Sequence, residues 1–180
     1  MSGGAHALAG TPGSQQAMAL VLNLAKRGHY NKWFDRQAVR RTNSLYQAGF
    51  GQPVDRKTVR ALDISHVLWI ETNDSQSSAA MMLSRTSTDE PPIYRVQGLA
   101  VSPDMRRQGY GTALLRSLDV VLPKGTTVWL CVDKDKDSTE WLVLWYRRMG
   151  FELAYRDPRL NHGGSEIPMK KIVPDCARNE

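Results

Sequence analysis

The stretch Ile93–Leu122, IYRVQGLAVSPDMRRQGYGTALLRSLDVVL, decides how the rest of the chain is read. It opens on Ile93, Val96, Leu99 and Val101 in a β-branched and aromatic run, which suits a strand that Pro103 closes. It ends on Leu114, Leu115, Leu118, Val121 and Leu122 at three- and four-residue spacing, the signature of one helix face. Between them lie Arg106, Arg107, Gln108, Gly109, Tyr110 and Gly111. A turn into a helix leaves backbone N–H groups unpaired at the positive end of the helix dipole. Gly109 and Gly111 bring no side chains, so an anion can come close to that backbone. The glycines alone fit an ordinary strand–turn–helix link. The added arginines and the preceding strand shift the reading to a diphosphate cradle.

Common phosphate motifs do not match the spacing. There is no GxxxxGK[ST], and no third glycine at the dinucleotide offset. The stretch resembles instead the acetyl-CoA signature of the GNAT N-acetyltransferase superfamily, [Q/R]-x-x-G-x-[G/A], as Arg106-x-x-Gly109-x-Gly111. The flanking LAVSPDMRRQGYGTALL is similar to that family's strand, Val-x-Pro, Arg-rich turn and helix. A second family pattern, Asn-x-x-Ala-x-x-Leu-Tyr-x-x-x-Gly-Phe, is met in part. Tyr146, Gly150 and Phe151 agree, whereas Thr139, Leu142 and Trp145 replace the usual Asn, Ala and Leu.

Composition is that of a globular protein. The chain has 180 residues, enough for one domain with a proper core, and is 41% hydrophobic and 23% charged. Its start lacks a basic, then apolar, secretory pattern, and no run is long enough for a membrane span. Cys131 and Cys176 form neither a metal spacing nor a disulfide framework, so an intracellular, cytoplasmic setting without a metal is expected. A net charge of +6 suits an anionic ligand. The basic residues are scattered in short pairs with no aromatic ladder, which disfavours a nucleic-acid partner.

Residues 1–14 read as a flexible tail, 15–173 as one domain and 174–180 as a second tail. Met18–Lys26 fits a strand or a helix, and the resemblance favours the strand. Trp33–Phe50 reads as a helix, and Asp55 as the cap of a short second one with Val59 and Leu62 facing inward. His66–Asn73 and Ser78–Ser87 read as a hairpin, and Thr126–Asp133 as a later strand. The acidic run after Asp133 does not fit a calcium loop. Ser138–Met149 follows as a helix stopped by Gly150, then strands at Phe151–Tyr155 and Ser165–Val173.

The resemblance implies the GNAT fold, an α/β (α+β) architecture. Its mixed, mostly antiparallel twisted sheet is flanked by helices in the order β-α-α-β-β-β-α-β-α-β-β. It implies acetyl-CoA as cosubstrate and a primary amine of a small molecule or protein as acceptor. The pantetheine arm would pair with Leu99, Ala100 and Val101, beside a bulge at Gly98. Arg106, Arg107, Gln108, Gly109, Tyr110, Gly111 and Thr112 would hold the diphosphate, chiefly through backbone, with Thr139 nearby. Tyr146 would protonate the departing thiolate. Many family members have a Glu base on the strand before the turn, where this chain has Gln97 and Gly98. Glu71, Asp74, Asp133, His66 or water remain as alternatives for that role. A homodimer is also common in such proteins. The competing readings are an acyl-CoA-binding module without catalysis and, on charge alone, a nucleic-acid binder.

Overall fold

The computed structural model describes residues 21–26, 32–71, 77–160 and 163–175. Both expected tails lie partly or wholly outside these residues, as do Met18 to Leu20 and the hairpin loop with Asp74. The elements follow the expected order. Strand β1 (Val21–Lys26) is followed by α1 (Lys32–Phe50) and α2 (Arg56–Ala61). Three strands come next, β2 (Ile64–Glu71), β3 (Ser77–Arg85) and β4 (Ile93–Val101). Helix α3 (Tyr110–Val121) leads to β5 (Thr127–Asp133), and α4 (Thr139–Arg148) to β6 (Glu152–Leu153) and β7 (Glu166–Ile172). They form one seven-stranded sheet in the order β1-β2-β3-β4-β5-β7-β6. Every pairing is antiparallel except that of β4 with β5. A right-handed crossover through α3 is the expected link between parallel neighbours.

Each sheet face has its own core. Leu114, Leu115 and Leu118 of α3 pack on Leu68, Met81, Val96 and Val128, with Tyr146 and Trp145 of α4 at the margin. On the opposite face Phe34, Ala38, Leu45 and Tyr46 of α1 cover Val67, Trp69, Met82 and Ala100. Alternation along β2 and β3 therefore feeds both cores, which is why these strands read as nearly continuous apolar runs.

Local chemistry sets the ends. The Asp55 carboxylate caps α2 by accepting from Thr58 N–H at 2.6 Å. Val59 is buried as expected, but Leu62 is the C-terminal cap of this short helix and is exposed rather than inward. The strand expected through Tyr155 stops at Leu153. Beyond it Asp157 binds Arg159, and Lys170 of β7, so the chain leaves the ladder in a turn tied to the sheet through side chains. No helix among the described residues is long and apolar enough to cross a membrane.

Candidate active site

Strands β4 and β5 form a fork. Parallel pairing is confined to Ile93, Tyr94 and Arg95 against Thr127, Val128 and Trp129. Beyond that point β4 stays with β3 as far as Val101, and β5 stays with β7 as far as Asp133. The inner edges are thereby left open. Ser102 N–H donates to Ser78 O at 2.9 Å, and bonding alternates along an antiparallel strand. Gly98 and Ala100 therefore turn their polar groups to β3, while those of Leu99 and Val101 face the gap.

A bulge lies at the vertex. Met82 faces Gly98 but Leu83 faces Val96, so Gln97, not Gly98, is the extra residue. Bulges bend a strand and add twist. This one also shifts the alternation, so that Val96, Leu99 and Val101 share the α3 face and Ala100 meets α1. Gly98 is glycine for another reason, since the Tyr46 ring fills the space a side chain would need.

Past Val101, a 3-10 turn at Pro103–Met105 leads into the glycine turn. Arg107 and Gly109 adopt left-handed backbone there, with φ of 62° and 86°. Among the described residues, no protein acceptor meets the N–H groups of Arg107 through Thr112; Ala113 is the first to bond, to Gly109 O at 2.9 Å. These N–H groups start α3 at the positive end of its dipole, where the sequence reading expects an anion. Arg106 and Arg107 are exposed, and Arg106 Nε reaches the gap-facing carbonyl of Val101 at 3.5 Å. Gln108 donates to Asp104 O.

The glycines differ in role. Gly109 is open, with nothing within 4 Å of the position a Cβ would take. Gly111 is buried, and its missing side chain makes room for Trp145 and Leu99. Tyr110 puts its ring into the core, leaving only its backbone to the turn. The Thr112 hydroxyl accepts from Trp145 Nε1 at 3.3 Å. The Thr139 hydroxyl is shared between the Asp133 and Lys136 carbonyls, both at 2.6 Å, so it closes the loop before α4.

Tyr146 sits between Trp145 and Phe151, and burial pushes its phenol up to about 12. A charge on Tyr146 is felt at Tyr46, whose ring touches Gly98. The two phenols thus approach the vertex from α4 and α1. The Tyr46 hydroxyl is buried near the Met82 backbone without a well-formed hydrogen bond, and burial raises its pKa strongly. Nothing local in the sequence signals that Tyr46 meets Gly98, because the two lie on different elements.

A carboxylate missed in the sequence also lies at the vertex. Cys131 falls just past the last parallel rung on β5, and its thiol bonds to Glu166 of β7. Arg95, on that last rung of β4, lies over the Trp129 ring and comes within 4.0 Å of Glu166. The Glu166 carboxyl is therefore held over β5 toward the fork, and it also accepts from Gly163 N–H at 2.9 Å. Only the β5–β7 register brings Glu166 there, because about seventy residues separate it from Arg95.

The other carboxylates and the histidine have different settings. Glu71 pairs with Arg41 and accepts from Trp69 Nε1 at 3.0 Å, two strands from the fork. Asp133 is exposed at the end of β5 and faces Lys136. His66 is buried edge-on against Tyr94 beside the Ser65 hydroxyl. Asp74 lies outside the described residues.

A fork of parallel strands opening onto a glycine turn and a helix start suits a ligand with an amide-rich arm and an anionic end, and the comparisons name the family. Residues 63–153 match the family described as Acetyltransferase (GNAT) domain. The chain belongs to the GNAT acetyltransferase family and is on that ground an acyltransferase. No curated protein matches it in sequence.

Many solved structures share the fold. The Escherichia coli ribosomal-protein-S18-alanine N-acetyltransferase is 19% identical, with a TM-score of 0.57 over 89% of this chain and 99% of that one. Arabidopsis thaliana Naa50, bound to the bisubstrate analogue CoA-Ac-MVNAL, is 15% identical, with a TM-score of 0.57 over 83% and 97%. An aminoglycoside 6′-N-acetyltransferase complexed with coenzyme A is 14% identical, with a TM-score of 0.55 over 84% and 97%.

Proposed function

We propose that the chain transfers acetyl from acetyl-CoA to a primary amine of a small molecule or protein by direct attack on the thioester. The fork carries this reading. Leu99 and Val101 offer gap-facing amide groups to the pantetheine arm, in the manner of an added strand. Past the 3-10 turn at Pro103–Met105 that edge is followed by the N–H groups of Arg107 through Thr112, which suit a diphosphate. Two of the similar structures hold coenzyme A or a CoA-based analogue.

The acetyl group then lies at the vertex, near Gly98, Tyr146 and Glu166. The amine lone pair attacks the carbonyl carbon, the C–S bond breaks, and the amine proton passes to Glu166 through water. Tyr146 donates a hydrogen bond to the sulfur. Its pKa near 12 lies above the roughly 8.5 of an ordinary thiol, so full transfer from Tyr146 is uphill by roughly 5 kcal/mol. The same dry surroundings destabilise the thiolate and narrow that gap. Tyr146 therefore stabilises the departing thiolate by this hydrogen bond first, and the thiolate then takes the phenol proton as solvent reprotonates Tyr146. Burial, with the Glu166 charge and bond, pushes the Cys131 thiol up to about 12, too weak a nucleophile to carry acetyl covalently. That supports direct transfer over a covalent acetyl intermediate on Cys131.

The test is calorimetry with acetyl-CoA on the full chain and on Gly109→Asp. Gly109 has open space around it but holds φ at 86°, so Gly109→Asp brings backbone strain as well as a carboxylate into the turn. Its melting curve is recorded beside the titration to separate the two effects. Micromolar binding weakened at least tenfold supports the reading. A folded wild type that binds no acetyl-CoA ends it. Thiol release in the presence of primary amines then identifies the acceptor class.

A further inference from the structure

Helix α4 carries two tryptophans one turn apart, and they differ sharply in setting. Trp145 is fixed against the cradle. Its ring carbons lie 3.3 Å from the side-chain position of Gly111, and its N–H reaches Thr112 Oγ1 at 3.3 Å. Trp141 stacks on it with ring planes 9° apart and centroids 5.8 Å apart. Yet Trp141 is 61% exposed, and its neighbour on the same outer stripe, Leu144, is 47% exposed. An indole left this open forgoes much of the stabilisation that burying such a large ring provides.

The stack grows outward from the wall of a diphosphate site. Arg106 and Arg107, both exposed, flank the same turn. A flat aromatic face beside a diphosphate site matches the base of a nucleoside diphosphate, with the ribose spanning the step between them. We propose that Trp141 is a purine-stacking platform for the adenine of coenzyme A, so that the carrier is recognised at its nucleotide end as well as along its pantetheine arm. This rests on the acetyl-CoA reading above. Trp145 supports the platform, and Gly111 is small because that support packs against it. Base–aromatic stacking contributes roughly 1–3 kcal/mol, which corresponds to a change of about 5- to 150-fold in affinity.

Calorimetry on the full chain and on Trp141→Ala and Trp141→Phe tests this with three probes: coenzyme A, 3′-phospho-ADP and 4′-phosphopantetheine. Trp141 is exposed, so both variants keep the wild-type melting curve. The expected result is about 5- to 150-fold weaker binding of coenzyme A and 3′-phospho-ADP by Trp141→Ala, with most affinity retained by Trp141→Phe. Binding of 4′-phosphopantetheine stays the same in all three proteins. Unchanged coenzyme A affinity in Trp141→Ala overturns the platform while leaving the cradle intact, and leaves the stripe for a protein partner. Equal weakening of all three probes also overturns it, since Trp141 would then act only by bracing Trp145. A wild type that binds none of the probes removes the acetyl-CoA reading itself.

Discussion

A side-chain carbon on Gly98 would fall 2.7 Å from both Cε1 and the hydroxyl oxygen of Tyr46. The ring that blocks it is buried in α1, so it has little room to move. Gly98→Ala is expected to cost about 1–3 kcal/mol through overpacking. In a chain of this size that is a fall in Tm of roughly 2–4 °C per kcal/mol. Removing the oxygen relieves one of the two closest contacts, so the cost is smaller in a Tyr46→Phe background. Thermal melts of the two single variants and the double variant measure this coupling, and strict additivity would contradict the packing.

Tyr46→Phe by itself leaves stability unchanged or raises it by about 1 kcal/mol. A buried hydroxyl without a well-formed partner bears its desolvation cost with little return. If the melting point drops by several degrees, the hydroxyl has a partner in solution. Should Tyr46→Phe be stable yet slower in acetyl transfer, the hydroxyl was kept for function at the expense of stability.

Glu166→Gln is expected to lower kcat for amine acetylation by about 10- to 100-fold, with acetyl-CoA affinity unchanged. The substitution keeps shape and a bond acceptor for Cys131 but cannot take the amine proton. Steady-state kinetics beside calorimetry separate the two effects. Undiminished kcat would leave water as the base.

Cys131 should be slow to react with thiol reagents in the folded protein. Its pKa near 12 comes first from burial, then from the Glu166 charge and bond. In a Cys176→Ser background at pH 8, modification is expected to be roughly a hundredfold or more slower than for the unfolded chain. Glu166→Gln accelerates it. A rate equal to that of free thiols would place Cys131 away from the carboxylate.

Alkali should unfold the protein cooperatively. Burial raises Tyr46, Tyr94 and Tyr146, the last to about 12 from an ordinary 10, and raises Cys131 from 9 to about 12. In the unfolded chain these groups lose protons first, so it binds fewer protons than the native state above pH about 9. Stability is therefore complete below that pH and falls as pH rises toward 12. Circular dichroism from pH 8 to 12 follows the loss, and a flat profile would contradict the burial of these groups.

The element order could be read along the chain because each element is written locally. Alternating β-branched residues mark β4, the Leu114, Leu115 and Leu118 spacing marks α3, and Gly150 marks the end of α4. Asp55 could be read as a cap because its partner is three residues away. The turn into α3 was legible for the same reason, as left-handed backbone at Gly109 is a property of the residue itself.

Tertiary structure decided the rest, and in each case the deciding contact spans the chain. The bulge at Gln97 depends on the register with β3, which local pattern cannot reveal. The backbone N–H of Gly111 stays in the turn, but the space left by its missing side chain is taken by Trp145, which the local pattern could not show. Gly98 is shaped by Tyr46, more than fifty residues earlier, and Glu166 reaches the vertex only when β7 pairs with β5. Sequence by itself determined which backbone conformations were cheap, and so which elements form. Which side chains meet at the fork depended on sheet register and helix packing, because those free energies belong to pairs of distant residues and to neither residue alone.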